Sequence, residues 1–132
     1  MILIDTSVLI SFLKGQKNSA TDKFERILKN KVPYGINYYI YQEILQGAKN
    51  EKEFKLLKEY LGSQKFYDLK NGQKSREDAA RLYFKCRAAG YNIKSTINLL
   101  IAQTAIENNL SLLHNDADYI NIAKITAGLQ LL

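Results

Sequence analysis

The chain has 132 residues, 46% of them apolar, and a formal net charge of +6 at pH 7, which suits one hydrophobic core and leaves no room for a second. No apolar run approaches the roughly 20 residues of a membrane helix. The opening MILIDTSVLISFLKG has neither the basic start nor the small-residue cleavage site of an export signal. With Cys86 as the only cysteine there is no disulfide framework, so a reducing, cytoplasmic location without a membrane partner is expected. The positive charge suits a polyanionic or acidic partner, but the lysines are scattered from Lys14 to Lys124, as on an ordinary solvated basic surface.

Residues 2–5 (ILID) read as a short buried strand ending in an acid, and residues 7–13 as a helix stopped at Gly15. A second helix runs from Asp22 to Asn30 with Phe24, Ile27 and Leu28 on one face. Pro33 breaks it, and VPYGI reads as the next strand. Asn37 caps a helix from Tyr38 to Ala48, and beyond Gly47 a charged helix repeats Phe54, Leu57 and Leu61. KFYDL at 65–69 is a candidate strand. The stretch 76–89 is amphipathic, with Ala79, Leu82, Tyr83 and Cys86 on one face and Gly90 at its end. Ser95 or Thr96 opens a helix through Asn109, LSLLH at 110–114 is a strand, NDAD a turn, and LQLL a last strand. Strands alternating with helices predict an α/β fold: one domain over 1–132 with a mostly parallel sheet covered on both faces.

In such sheets sites form beyond the carboxyl ends of the strands. Asp5 ends the first strand, and Asp116 and Asp118 follow the strand closed by His114. Glu43 lies on the helix after the second strand, and Asn98 in the first turn of the late helix. Carboxylates gathered in this way repel one another unless cations or protons compensate. Oxygen ligands without a Cys/His cluster favour Mg²⁺ or Mn²⁺ over zinc, and such ions can activate water for phosphodiester cleavage.

Plainer readings stand beside these. Asp5 is also a cap or turn residue, Glu43 a solvated helix residue, and Asp116 with Asp118 good turn chemistry. Asn98 with Ser95 also serves to cap a helix. His114 suits a strand-end hydrogen bond, Cys86 the core, and Tyr38, Tyr39 and Tyr41 packing or association.

Three blocks in order, however, resemble the PIN-domain family. MILIDTSVLI resembles its opening strand ending in a metal-binding Asp. INYYIYQEILQGA resembles its helix with a Glu ahead of Leu and Gly. STINLLIAQTAIENNLSLLHNDADY resembles its late helix, strand and Asp-x-Asp turn. Their order covers nearly the whole chain, and the length suits VapC-type toxins. The resemblance implies a PIN-like fold and a Mg²⁺- or Mn²⁺-dependent endoribonuclease that acts as a homodimer on RNA and is inhibited by a cognate antitoxin. It carries the metal-holding and catalytic roles to Asp5, Glu43, Asn98 and Asp116, with Asp118 as a further ligand and Thr6 or Ser7 supporting Asp5. The departure is Asn98, where the family pattern has Asp. An amide brings no charge, so impaired cleavage is expected, and the alternative is a silent PIN-fold module that binds RNA or an antitoxin. A phospho-receiver domain fits worse, since Asp5 has Thr6 beside it and Asp68 lacks the matching acid pair.

Overall fold

A computed structural model describes residues 1–132. In chain order the elements are β1 (Ile2–Ile4), α1 (Thr6–Leu13), α2 (Ser19–Lys29), β2 (Tyr34–Ile36), α3 (Tyr38–Gln46) and α4 (Glu51–Gly62). They continue with β3 (Lys65–Phe66), α5 (Gln73–Ala88), α6 (Thr96–Glu107), β4 (Ser111–Leu113), α7 (Ala117–Ile125) and β5 (Gln130–Leu131). All five strands are parallel, in the order β3-β2-β1-β4-β5.

The apolar strands occupy the middle for a physical reason. A central parallel strand is buried on both faces, so it needs side chains that tolerate burial on either side. Leu3 and Ile4 of β1, and Leu112 and Leu113 of β4, are fully or almost fully buried. The edge strands β3 and β5 are two residues long and carry exposed positions, Lys65 among them. Short edges offer little unpaired backbone to another chain.

Helices cover the sheet through conventional amphipathic faces. In α2, Ala20, Phe24 and Ile27 point inward, and Phe24 meets Phe12 and Tyr34 edge-on at centroid separations of 4.9 and 5.4 Å. That aromatic chain fastens α1, α2 and β2 together. Gly35 in β2 is required by close approach. A Cβ there would lie 2.5 Å from the Tyr67 ring and 2.7 Å from the Lys65 carbonyl oxygen. Gly90, at φ +88°, ends α5 as its position predicts.

Several expected elements have different bounds. The second helix starts at Ser19, ahead of Asp22, because Asn18 and Thr21 form a reciprocal capping box. KFYDL pairs only through Lys65 and Phe66, with the Tyr67 N–H making one further bond to the Ile36 carbonyl. The larger correction is NDAD. It is the start of a helix, α7, with Asp116 as N-cap accepting from the Asp118 N–H at 2.9 Å. The same residue chemistry serves turns and helix starts, and here Tyr119 and Ile122 supply a buried face that continues the chain as helix.

Candidate functional site

The chain turns from β1 leftward to β2 and β3, then returns to build β4 and β5 on the other side. The loops after β1 and β4 therefore diverge, leaving a crevice at their carboxyl ends. Asp5 follows β1 and Asp116 follows β4, and the Asp5 N–H donates to the Leu113 carbonyl at 2.9 Å, locking the two strand ends together. Both acids also cap helices, α1 and α7, so their side chains are held near positive helix ends.

Asp5 is almost fully buried and accepts three hydrogen bonds. Its Oδ2 accepts from the Ser7 hydroxyl at 2.6 Å and the Ser7 N–H at 3.0 Å, while Oδ1 accepts from the Tyr119 hydroxyl at 2.7 Å. Burial raises the Asp5 pKa against the opposing pull of these donors, and the nearby Asp116 charge raises it further. Ser7 also accepts from the Asn115 N–H at 2.9 Å, so one hydroxyl bridges the first acid to the loop carrying Asp116. Thr6 makes no bond to Asp5. Its hydroxyl donates to Glu43 Oε1 at 2.7 Å and so ties α3 to the start of α1. The Glu43 pKa is likewise raised, chiefly by burial, with the Thr6 bond opposing and the Asp5 charge adding to it.

Asn98 lies inward on the first turn of α6 and joins the later acids. Its Nδ2 donates to Asp116 Oδ2 and to Asp118 Oδ2, both at 3.0 Å, and its Oδ1 lies 3.0 Å from the Tyr119 hydroxyl. Asp118 is buried and further occupied by the Lys94 N–H at 3.1 Å to Oδ2 and 3.3 Å to Oδ1. It thereby fastens the segment before α6 to α7. Asp116 is only half-buried, which makes it the more accessible of the two acids.

The remaining residues fall into supporting places. His114 Nδ1 accepts from the Asp116 N–H at 3.1 Å, which puts the proton of the neutral ring on Nε2. Burial lowers its pKa, against the pull of the Asp5 charge, and so favours that neutral form. Cys86 is in the core. Tyr38 stacks on Phe66 at 4.7 Å, whereas Tyr39 and Tyr41 pack against the core.

Tyr119 is the residue that sequence reasoning missed. Fully buried, it touches Asp5 and Asn98 together, and burial beside the Asp5 charge raises its pKa so that the phenol keeps its proton. Its spacing of three from Asp116 would have placed it on the site's face had α7 been read as a helix.

The donor set suits a hard cation. Asp5, Glu43 and Asp116 supply carboxylate oxygens, the only cysteine is in the core, and the one histidine nitrogen that accepts is already bonded. No three Asp, Glu, His or Cys side chains stand close enough to cage an ion by themselves. That fits an ion such as Mg²⁺, which keeps several waters and takes only one or two carboxylates directly. Asn98 turns its NH₂ group to the acids, an orientation in which it donates and does not ligate.

Comparison with known proteins places this geometry. Over 127 residues the chain is 30% identical to Ribonuclease VapC11 of Mycobacterium tuberculosis, covering 96% of this chain and 94% of that protein. A VapC ribonuclease of Mycobacterium bovis matches with the same identity and coverage. The fold is similar to VapBC2 from Rickettsia felis, solved with a fragment of promoter DNA, at a TM-score of 0.73 and 21% identity over 100% of this chain and 98% of that one. It is also similar to the DNA-bound VapBC of Salmonella typhimurium, at a TM-score of 0.73 and 17% identity over 99% of this chain and 96% of that one. The family model described as PIN domain matches residues 2–125, so the chain belongs to the PIN-domain family and is of its VapC type.

Proposed function

We propose that this chain is the ribonuclease toxin of a toxin–antitoxin pair and cleaves RNA in the crevice between the ends of β1 and β4. The observation that carries the reading is the meeting of Asp5 and Asp116 across that crevice, with Glu43 brought alongside by Thr6. Asp5, Glu43 and Asp116 would hold Mg²⁺ or Mn²⁺ between them, one or two directly and the rest through its waters. Bound there, the ion supplies a more acidic water and offsets charge on the phosphate. Ser7 and Tyr119 fix the Asp5 carboxylate, Thr6 fixes Glu43, and the Asn98 amide separates Asp116 from Asp118. Asp118 acts mainly by anchoring the Lys94 segment. The basic surface holds the RNA backbone.

The rest of the reading follows from the same family. The chain works as one domain, in the cytoplasm, as a homodimer. An antitoxin segment lies across the crevice and presents Arg or Lys to the carboxylates in place of metal. Purified protein should cut RNA in Mn²⁺ and lose that activity in EDTA, and expression without antitoxin should slow growth. RNA cut equally well in EDTA would sink the metal-dependent reading.

A second reading has a specific observation behind it. With its NH₂ group facing Asp116 and Asp118, Asn98 already satisfies two carboxylate oxygens of the cleft by hydrogen bonds, an arrangement that suits a silent RNA- or antitoxin-binding module. That reading moves ahead if neither this chain nor its Asn98→Asp form cleaves any RNA in Mn²⁺.

A further inference from the structure

The hydrogen bonds around Tyr119 do not balance. Its hydroxyl carries one hydrogen and lies 2.7 Å from Asp5 Oδ1 and 3.0 Å from Asn98 Oδ1, both of them acceptors. On the other side of the amide, both Nδ2 hydrogens are used, one on Asp116 and one on Asp118. One acceptor beside the phenol is therefore poorly served in a fully buried place, where an unmet polar group is costly. Turning the Asn98 amide over reverses the count. Nδ2 then donates to a lone pair of the Tyr119 oxygen, whose own hydrogen stays on Asp5. Oδ1 now faces the Asp116 and Asp118 oxygens, three acceptors together that a cation or a proton must offset.

We propose that Tyr119 is a positioning residue whose hydroxyl becomes the hydrogen-bond acceptor of the Asn98 amide once that amide turns over, so that Asn98 donates to Asp116 and Asp118 in the free cleft and turns its carbonyl toward them when a divalent cation binds. The phenol is suited to this because it donates to Asp5 while its oxygen can still accept, and because it is fully buried. Asn98 thus offers a carbonyl oxygen, though no charge, by changing role on loading. The inference rests on the metal-site reading above and adds a chemical reason why an amide is workable at position 98.

The test is a Mg²⁺ titration of isotope-labelled protein followed by NMR, with affinities from calorimetry. The expected result is a saturable nuclear Overhauser contact between the Asn98 side-chain NH₂ and the Tyr119 ring, appearing together with shifts of the Asp5 and Asp116 carboxyl carbons. Tyr119→Phe should weaken Mg²⁺ binding about tenfold in this chain, because the turned NH₂ loses its acceptor. In the Asn98→Asp background the same change should weaken it by less than about threefold, since a carboxylate has no hydrogen to give the phenol. Carboxyl shifts without movement of the Asn98 amide overturn this inference and leave the metal site standing. An equal loss in both backgrounds also overturns it, by showing that Tyr119 acts only through Asp5 or through packing. No carboxyl shift at any Mg²⁺ concentration overturns both this inference and the reading beneath it.

Discussion

Asn98 is where the electrostatics of the cleft are decided. With a carboxylate at that position, two N–H donors would be exchanged for a third negative group 3.0 Å from Asp116 and Asp118 oxygens. In metal-free protein, Asn98→Asp should lower the unfolding free energy by about 2–4 kcal/mol, read from urea titration. Mn²⁺ should recover most of it, because a ligand that binds the folded state stabilises it by mass action. An Asn98→Asp form as stable as the parent in EDTA would show that the amide bonds carry no weight. Asp5 and Glu43 make a pH prediction. Burial raises both folded-state values above the ordinary 3.8 and 4.5, so the folded chain holds these protons more tightly. Their stabilising contribution is complete below those ordinary values and is lost as pH rises through the raised ones. Other groups act in the opposite direction, Glu107 among them, so the informative quantity is a difference. Relative to Asp5→Asn, the metal-free parent should lose stability as pH rises from about 4 upward. A difference that stays flat with pH would contradict the burial account of Asp5.

Among the elements, those with a strong period or a clear cap were legible from sequence. The parallel α/β sheet and the central place of ILI and SLL follow from unbroken apolar runs, and the positions of Asp5 and Asp116 just beyond two strand ends were readable in the same way. What escaped was α7, because Asp-x-Asp chemistry is shared by turns and helix starts, and Tyr119 escaped with it. The split roles of Thr6 and Ser7 were not readable either, since adjacent hydroxyls are chemically alike and only the approach of α3 gives Thr6 to Glu43. The β2–β3 pairing supplies its own test. Gly35→Ala drives a Cβ into the Tyr67 ring and the Lys65 backbone, and should destabilise the chain by about 1–3 kcal/mol by thermal or urea unfolding. An unchanged midpoint would mean that β3 yields freely. Just before α6, Lys94 has an exposed side chain while its N–H is fixed on Asp118 beside the cleft. Lys94→Ala should weaken RNA binding and reduce the salt-dependence slope by about one phosphate contact. An unaltered slope would place the RNA path elsewhere.

For the whole molecule, the acidic crevice is set in a chain of net charge +6, so surface and site have opposite signs. On the proposed function, a polyanion would be drawn to the surface, and its phosphate would enter the crevice once metal offsets the carboxylates. On the same reading, a basic antitoxin side chain would compete with metal for the site. No helix is long and apolar enough to cross a membrane. The measurement that bears most directly on the crevice is the RNA cleavage rate of this chain and of its Asn98→Asp form, side by side across a Mn²⁺ titration. A few kcal/mol of lost charge compensation translates, at about 1.36 kcal/mol per tenfold, into a rate at least about a hundredfold higher for Asn98→Asp at saturating Mn²⁺. Adding Asp5→Asn to that form should abolish the gain. Equal rates for the two forms, or a gain that survives loss of the Asp5 carboxylate, would contradict the assignment of this crevice as the metal-dependent cleavage site.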